Sequence, residues 1–348
     1  MVDYSKHVDD LAYAHGEPSG TARIRQQAED FKVNEELSFE PSGEGEHEFV
    51  YLAKTNLNTE DVVKILAKHA DVPRRSVSFA GMKDRQAVTK QWFSIQLPGQ
   101  TGPNWHLLED SADIRIVKVT RHSKKLKRGA IKYNQFELIL SELEADKEDV
   151  EARIERVKKL GAPNYFMQQR FGYLSQNLNR AYELFAKKEP MRNKKTRGFF
   201  LSSARSYLFN EVNSQRVGNK TWDAVVEGDV YILNGTRQFF QDDGDDTQIQ
   251  KRLLEHDIHC SGPMFGIGDS LTKKDVNVLE EAVFENNAVF CDGLKKAKMD
   301  IARRSLRVVP QEFEFEWLES DHLRLVFKLP SGSYATAIIR EIIKATDR

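Results

Sequence analysis

The sequence has very little cysteine, no long apolar run and no excess charge of one sign. Its 348 residues include two cysteines, Cys260 and Cys291, which lie far apart without a neighbouring Cys or His pair. This argues against a disulfide framework and a cysteine metal site, so both are expected to be thiols that are either buried or without a special role. No run approaches the roughly 18 apolar residues of a membrane helix, and the acidic N-terminus does not fit a signal peptide. These absences predict a soluble, cytoplasmic protein.

Charge is balanced overall and segregated locally. The chain has 52 Lys+Arg against 53 Asp+Glu, so a nucleic-acid site would have to be a local patch. The densest basic run, residues 118–128, contains six cations and no acid, which favours phosphate contact over the alternative of a solvated loop. A second basic stretch covers residues 187–197. The cations of the first run are Lys118, Arg121, Lys124, Lys125, Lys127 and Arg128.

The stretch Ser76–Phe93 (SVSFAGMKDRQAVTKQWF) is a candidate mount for a reactive carboxylate. Alternating apolar residues predict a strand on each side of a polar link, Gly81–Gln86. Asp84 in this link would point outward, with a cation on either side. An aspartate in a glycine-containing turn is also an ordinary turn former, so the loop alone leaves both interpretations open.

The strand predicted after the first basic run places Asn134, Phe136 and Leu138 on one face, because side chains alternate along a strand. An amide beside an aromatic ring could hydrogen-bond and stack a single-stranded base. Packing in the core is the alternative for Phe136.

Other patterns predict the framework. A hairpin is expected in Thr21–Lys54, a helix within residues 58–73, and a helix that ends before a domain boundary at Gly161. Ser202 and Ser203 are expected to cap a helix. Later helices are predicted over residues 176–186, 273–286 and 293–304, followed by a hairpin within residues 312–330 and a last helix from residue 333.

Two stretches resemble binding motifs without matching them. The acidic loop Asp242–Asp246 lacks the later glutamate of an EF-hand loop, so a solvated turn is predicted there. The turn GPMFGIG at residues 262–268 lacks the lysine and the Ser/Thr of a P-loop, and we assign it a structural role.

Several stretches, taken together and in order, resemble the tRNA pseudouridine synthases of the TruD type. These are AEDFKV with GEGEH, SFAGMKDRQAVTKQW, GAIKYNQFEL, PNYFMQQRFG, FLSSARSYLFN, EGDV and LPSGSYATAIIRE. The resemblance implies an isomerase that converts uridine 13 of tRNA to pseudouridine without a cofactor. It also implies an α+β fold in which a catalytic domain (residues 1–160 and 309–348), with a mixed, mainly antiparallel sheet and flanking helices, is interrupted by an α/β TRUD domain (residues 161–308).

The resemblance also assigns roles to residues. Asp84 falls on the catalytic aspartate, which could act as a nucleophile or as a general base that removes a ribose proton. Arg25 falls where the family carries a basic residue, often lysine. Asn134 and Phe136 fall on an N-x-F motif whose aromatic ring would stack on the flipped base, and Tyr334 is a candidate for the pocket wall. The residues expected to bind RNA are Lys83, Arg85, Lys124, Lys125, Lys127, Arg128, Arg170, Lys194, Lys195, Arg197 and Arg205.

Two other functions compete with this interpretation. A non-catalytic RNA-binding protein of the same fold would keep the basic patches but would not need Asp84. A metal-dependent nuclease would use Asp242–Asp246 and would lose activity with EDTA. We expect tRNA as the partner, no membrane association, no bound metal, no obligate protein partner, and a monomer.

Overall fold

The computed structural model describes residues 3–110, 113–189, 193–241, 246–319 and 321–347. It separates into two compact units. The sheet unit is built from Ser19–Val150, Pro310–Gly332 and Ile343–Arg348. The helical unit is built from Met1–Pro18, Glu151–Val309 and Ser333–Ile342. The predicted domains group residues 1–18, 151–160, 309 and 333–342 differently from these units, and their functional bounds stay a prediction.

The first part of the sheet unit is rich in strands. Its residues form β1 (Thr21–Ile24), β2 (Phe31–Leu37), β3 (His47–Thr55), α1 (Thr59–His69), β4 (Val77–Phe79), β5 (Val88–Gln96), β6 (Ile114–His122) and β7 (Ile131–Glu144). Short 3-10 turns occupy Ala28–Asp30, Arg74–Ser76 and Trp105–Asp110. The helix predicted within residues 58–73 and the two strands around residue 84 are confirmed.

Helix α1 covers one face of the sheet. It carries acids in its first turn and a lysine and a histidine in its last, which suits the helix dipole. Its buried side chains, Val62, Val63, Leu66 and Ala67, pack in one cluster with Val50, Leu52, Phe93 and Ile95 from β3 and β5.

The chain continues through elements of both helices and strands. They are α2 (Lys147–Leu160), β8 (Ala162–Pro163), α3 (Gln168–Phe171), α4 (Gln176–Ala186), α5 (Lys194–Gly218), β9 (Val230–Leu233), β10 (Phe239–Gln241), α6 (Asp246–Leu254), β11 (Ile258–Met264), α7 (Lys274–Asn286), α8 (Ala288–Lys296), β12 (Ala302–Ser305) and β13 (Arg307–Val308). Within the helical unit, one sheet has the order β10-β9-β11-β12, and β13 pairs with β8.

Two predictions for this region are wrong. Helix α5 begins at Lys194, so Ser202 and Ser203 lie inside it rather than at its N-terminus. The basic stretch that precedes them supplies helix-forming Lys and Arg residues. The helix expected over residues 293–304 ends at Lys296, because Ala302–Ser305 pairs with β11 as a strand. The predicted helices over residues 176–186 and 273–286 are confirmed.

The chain closes with β14 (Gln311–Glu319), β15 (His322–Pro330), α9 (Ala335–Ile342) and β16 (Lys344–Asp347). Strands β14 and β15 form the predicted hairpin. Both cysteines are free and buried, as predicted. Across the part of the chain that the structure describes, no helix is long and apolar enough to cross a bilayer.

Ten of the strands described here form the mixed sheet of the sheet unit, with the order β14-β15-β7-β2-β5-β3-β6. Strand β4 pairs with β5, and β1 pairs with β7 and β16. The pairs β2–β5 and β1–β16 are parallel, and the others are antiparallel. The opening hairpin predicted for Thr21–Lys54 is wrong, because β5 lies between β2 and β3.

Candidate active site

The loop that carries Asp84 lies between two paired strands. Strand β4 runs antiparallel to β5, with Val77 opposite Ile95 and Phe79 opposite Phe93. Residues 80–87 connect them. Ala80, at the start of the loop, is buried in a cluster with Phe49 and Trp92. The loop therefore begins and ends on packed strands of the same sheet.

Buried side chains bind the backbone of this loop. Gln91 Nε2 donates to the carbonyl oxygen of Gly81 at 2.6 Å, and the backbone N–H of Lys83 donates to Thr59 Oγ1 at 3.0 Å. Thr59 Oγ1 donates in turn to Gln91 Oε1 at 3.1 Å. Thr59 and Gln91 are completely buried, so these bonds do not compete with water.

Lys54 supplies a further bond from below the loop. It lies on the face of β3 that α1 covers and has 0% exposure. Its ammonium donates to the carbonyl oxygens of Leu57 at 2.7 Å and of Asp84 at 3.0 Å. Burial lowers the pKa of Lys54 to about 8, while the negative charge of Asp84 opposes that shift. Lys54 is therefore mainly an ammonium at neutral pH.

The side chain of Asp84 is 45% exposed and paired with Arg25. Arg25 Nη2 contacts Asp84 Oδ2 at 3.1 Å, and Nη1 contacts Asp347 Oδ2 at 2.8 Å. The guanidinium carbon lies 3.9 Å from the centroid of the Phe31 ring. Because the Arg25 side chain is only 9% exposed, it provides a fixed positive charge next to a carboxylate that solvent can reach. The structure brings together Arg25 and Asp84, the two residues that the resemblance matches to a basic residue and to the catalytic aspartate of the family.

Lys83, whose contact with RNA stays a prediction, lies in a nearly buried ion pair. Its side chain is 11% exposed, and its ammonium contacts Glu35 Oε1 at 2.7 Å and Asn134 Oδ1 at 2.8 Å. Glu35 Oε2 accepts the backbone N–H of Trp92 at 2.9 Å. These contacts connect the loop to the sheet and leave the Lys83 ammonium little access to a phosphate.

The sequence interpretation missed Glu35, Lys54 and Asp347. The sequence does contain a signal for Glu35. Every second residue of β2 points inward, and in the series Phe31, Val33, Glu35 the third inward residue is charged. A carboxylate in such a series needs a buried cation. Lys54 follows Val50 and Leu52 in the same way on β3. The residues next to Asp347 in sequence give no signal of its contact with Arg25. That contact arises because β16 pairs with β1, which places Asp347 opposite Ile24.

Phe136 lies in the interior of the sheet unit. Its ring is 7% exposed and packs against Phe31 and Phe327, with centroid distances of 6.2 and 5.7 Å. Asn134 is on the same face, as predicted from the alternation, and is also buried. The packing alternative therefore describes the unbound protein, and stacking of a base on Phe136 stays a prediction.

Tyr334 belongs to the helical unit. Its ring is half-buried and packs at 6.0 Å from the Phe166 ring, with the Arg170 guanidinium 6.0 Å from its centroid. Its expected role in the pocket wall stays a prediction.

The first basic run forms an exposed loop fixed at one point. Leu126 is 2% exposed, and its N–H donates to Ser94 Oγ at 2.9 Å. It packs in the same cluster as Ala80 of the Asp84 loop. The residues that flank this anchor and expose their cationic side chains are Lys124, Lys125, Lys127 and Arg128. A fifth predicted cation, Arg85, is exposed in the Asp84 loop and donates to the Asn56 carbonyl oxygen at 3.2 Å.

The cations predicted in the helical unit differ in access. Arg205 donates to the carbonyl oxygens of Met264 and Asp300, both at 2.8 Å, and burial lowers its pKa. Arg170 donates to Ser202 Oγ at 3.0 Å and lies 5.2 Å from the Phe166 centroid. Arg197 is exposed. The side chains of Lys194 and Lys195 lie outside the described residues.

Metal ligation can be judged for part of the chain. The described residues contain no group of three or more His, Cys, Asp or Glu side chains that could hold a metal ion. Of the acidic loop Asp242–Asp246, residues 242–245 lie outside the described part.

Comparison with known proteins identifies the class. The family model for tRNA pseudouridine synthase D (TruD) matches residues 7–191 and 190–342. A protein of Methylococcus capsulatus named tRNA pseudouridine synthase D is 42% identical over 336 residues, covering 97% of this chain and 95% of its own. One of the same name from Nitrosococcus oceani is 41% identical over 338 residues, covering 97% and 94%.

A solved structure supports the fold. The crystal structure of a Methanosarcina mazei protein described as a tRNA pseudouridine synthase D (TruD) superposes with a TM-score of 0.71 at 20% identity, covering 97% of each chain. This establishes the α+β fold of a pseudouridine synthase. The chain belongs to the tRNA pseudouridine synthase D (TruD) family. Its activity is accordingly the isomerisation of uridine to pseudouridine in tRNA, which decides against the non-catalytic and nuclease alternatives.

Proposed function

We propose that this enzyme isomerises uridine 13 of tRNA and that Asp84 is its catalytic residue. The observation that carries the proposal is a solvent-accessible carboxylate on a loop whose backbone is bound by buried Lys54, Thr59 and Gln91. A reacting group held at its main chain keeps its place while its side chain remains free to meet the nucleoside.

The reaction breaks the N1-glycosidic bond, turns the uracil and rejoins it to the ribose through C5, so no atom is gained or lost overall. Asp84 must be ionised either to attack as a nucleophile or to remove a ribose proton. Arg25 lies beside this carboxylate, with its nearly buried guanidinium 3.1 Å away. Deuterium at C2′ of the target ribose separates the two roles, because only proton removal breaks that bond.

In this proposal the exposed basic loop binds the tRNA backbone. Lys124, Lys125, Lys127 and Arg128 project beside a buried leucine, and Arg85 and Arg197 add further exposed cations. Lys83, Arg170 and Arg205 are bound to protein groups, and we assign them to support of the structure. The target uridine must leave the RNA stack to meet Asp84, and in this proposal the Phe136 ring stacks on the flipped base with Asn134 beside it.

The test compares the wild type with Asp84→Asn on a tRNA transcript. Pseudouridine is mapped by carbodiimide treatment and primer extension. The asparagine variant keeps the shape of the side chain and the backbone bonds of the loop, and we expect it to leave uridine 13 unmodified. Asp61→Asn, which changes an exposed carboxylate on α1, is the control and should retain activity. Equal modification by the wild type and Asp84→Asn would refute the catalytic assignment, and modification at another position would refute the target.

We also propose that the enzyme acts as a monomer in the cytoplasm. Support comes from Arg25, Lys54, Asp84 and Asp347, which meet within one chain. Light scattering of the protein with and without tRNA, together with fractionation of cells that express it, tests both statements.

A further inference from the structure

Arg25 is held by two carboxylates, those of Asp84 and Asp347, that lie far apart in the sequence. Strand β16 runs parallel to β1 with Asp347 opposite Ile24, the residue before Arg25. Arg25 Nη1 donates to both oxygens of Asp347, at 2.8 and 3.1 Å. Its Nη2 makes one bond, at 3.1 Å, to Asp84.

The two carboxylates do not bind Arg25 equally. Asp347 accepts two hydrogen bonds and Asp84 accepts one, while the Phe31 ring supports the guanidinium from its face at 3.9 Å. An arginine held by two bonds and a ring keeps its planar orientation without help from a third group. Asp84 can therefore turn toward a substrate while Arg25 stays in place.

We propose that Asp347 is a positioning residue, which fixes Arg25 so that Asp84 can leave the ion pair and engage the nucleoside. This inference rests on the proposed role of Asp84. When the charge of Asp84 is consumed or displaced during the reaction, Asp347 keeps the nearly buried guanidinium paired. Without Asp347, the positive charge would have Asp84 as its carboxylate partner and would restrain it.

The experiment measures single-turnover rate, tRNA dissociation constant and thermal midpoint for Asp347→Asn. We expect the rate to fall about tenfold, the scale of one lost charge-assisted bond. The dissociation constant should stay within about twofold, because Asp347 is not placed on the RNA, and the midpoint should barely move, because the side chain is 52% exposed. Asp347→Glu, which keeps the carboxylate, should recover most of the rate.

A neighbouring ion pair provides the control. Arg23 of β1 and Glu142 of β7 are 2.8 Å apart, with side-chain exposures of 53% and 55%. Glu142→Gln removes an equivalent charge and should leave the rate unchanged.

Action through Arg25 is tested by combining substitutions. In an Arg25→Met background, adding Asp347→Asn should lower the rate no further. A wild-type rate for Asp347→Asn, a loss confined to binding or stability, or full additivity with Arg25→Met would each overturn the inference. If Asp84→Asn is inactive while Asp347→Asn is unaffected, this inference alone fails. If Asp84→Asn is active, the proposed function fails and the inference with it.

Discussion

Lys54 donates a hydrogen bond to the backbone carbonyl oxygen of Asp84 at 3.0 Å, although the lysine is completely buried. A second bond, to Leu57 at 2.7 Å, uses the same ammonium. The Lys54 ammonium thus connects the residues that follow β3 to the loop that follows β4. Because its partners are carbonyl oxygens, Lys54 fixes the backbone position of Asp84 and makes no hydrogen bond to the Asp84 carboxylate, which pairs with Arg25.

Replacing Lys54 by methionine should lower both stability and turnover. Methionine keeps the apolar stem but leaves two carbonyl oxygens without their donor, so we expect a loss of about 1–3 kcal/mol in unfolding free energy and a lower rate at equal tRNA affinity. Urea denaturation and single-turnover assays measure these quantities. Lys64→Met, which removes an exposed lysine of α1, serves as the comparison. Unchanged turnover in folded Lys54→Met would show that the bond to Asp84 is dispensable.

Lys54 should also give stability a pH dependence. Its folded-state pKa of about 8 lies below the ordinary value of 10.5, so between these pH values the unfolded chain holds a proton that the folded chain has released. The contribution of Lys54 to stability therefore rises with pH across this window. Measured at pH 7 and pH 9.5, the wild type should gain unfolding free energy relative to Lys54→Met. A constant difference between the two proteins would contradict the lowered pKa.

Phe136 and Phe327 form a matched pair for testing base stacking. Both rings are buried and in contact, so changing either to leucine should cost about 1–3 kcal/mol of stability. If Phe136 stacks on the target base, its loss should also slow turnover by about 5- to 150-fold, since stacking contributes about 1–3 kcal/mol per base. The Phe327→Leu variant should keep its turnover. Equal turnover in the two variants would show that Phe136 only packs in the core and does not stack on the base.

The basic loop should determine the salt dependence of tRNA binding. Changing its four exposed cations to glutamine, with the Leu126 anchor kept, should weaken binding and reduce the slope of log affinity against log salt by about 3. Filter binding from low to moderate salt measures the slope. The comparison variant changes four other exposed cations of the sheet unit and should alter the slope less. Its positions are Lys64, Lys68, Arg74 and Arg75. If the two variants had equal slopes of log affinity against log salt, the basic loop would not be part of the tRNA interface.

Local signals predicted single elements of this fold well. Helix α1 is predictable because its acidic first turn, its apolar face and Pro73, which follows the helix, are close together in sequence. The strands around Asp84 are predictable because their side chains alternate. The false hairpin at residues 21–54 has a different origin. Strand β5 lies between β2 and β3 in the sheet. The sequence of residues 21–54 contains no signal of this pairing, because β5 comes later in the chain.

The candidate site was predicted in part for the same reason. Asp84 and Arg25 are found together, as the resemblance implied. The groups that position them were missed where a charge sits inside an apolar alternation, as in Lys54, or where the partner is 322 residues away, as in Asp347. The ion pair of Lys83 with Glu35 was not predicted, because sequence cannot separate an exposed lysine from one that pairs with a buried glutamate.

The hydrogen bonds that hold the Asp84 loop make a trapped complex with tRNA accessible to structural work. Because Lys54, Thr59 and Gln91 bind main-chain atoms, a substitution at position 84 changes the side chain without releasing the loop. Asp84→Asn should therefore capture unmodified tRNA in a geometry close to that of the reactive complex. Crystals or cryo-electron microscopy grids of that trapped assembly would display the nucleoside just before its glycosidic bond breaks.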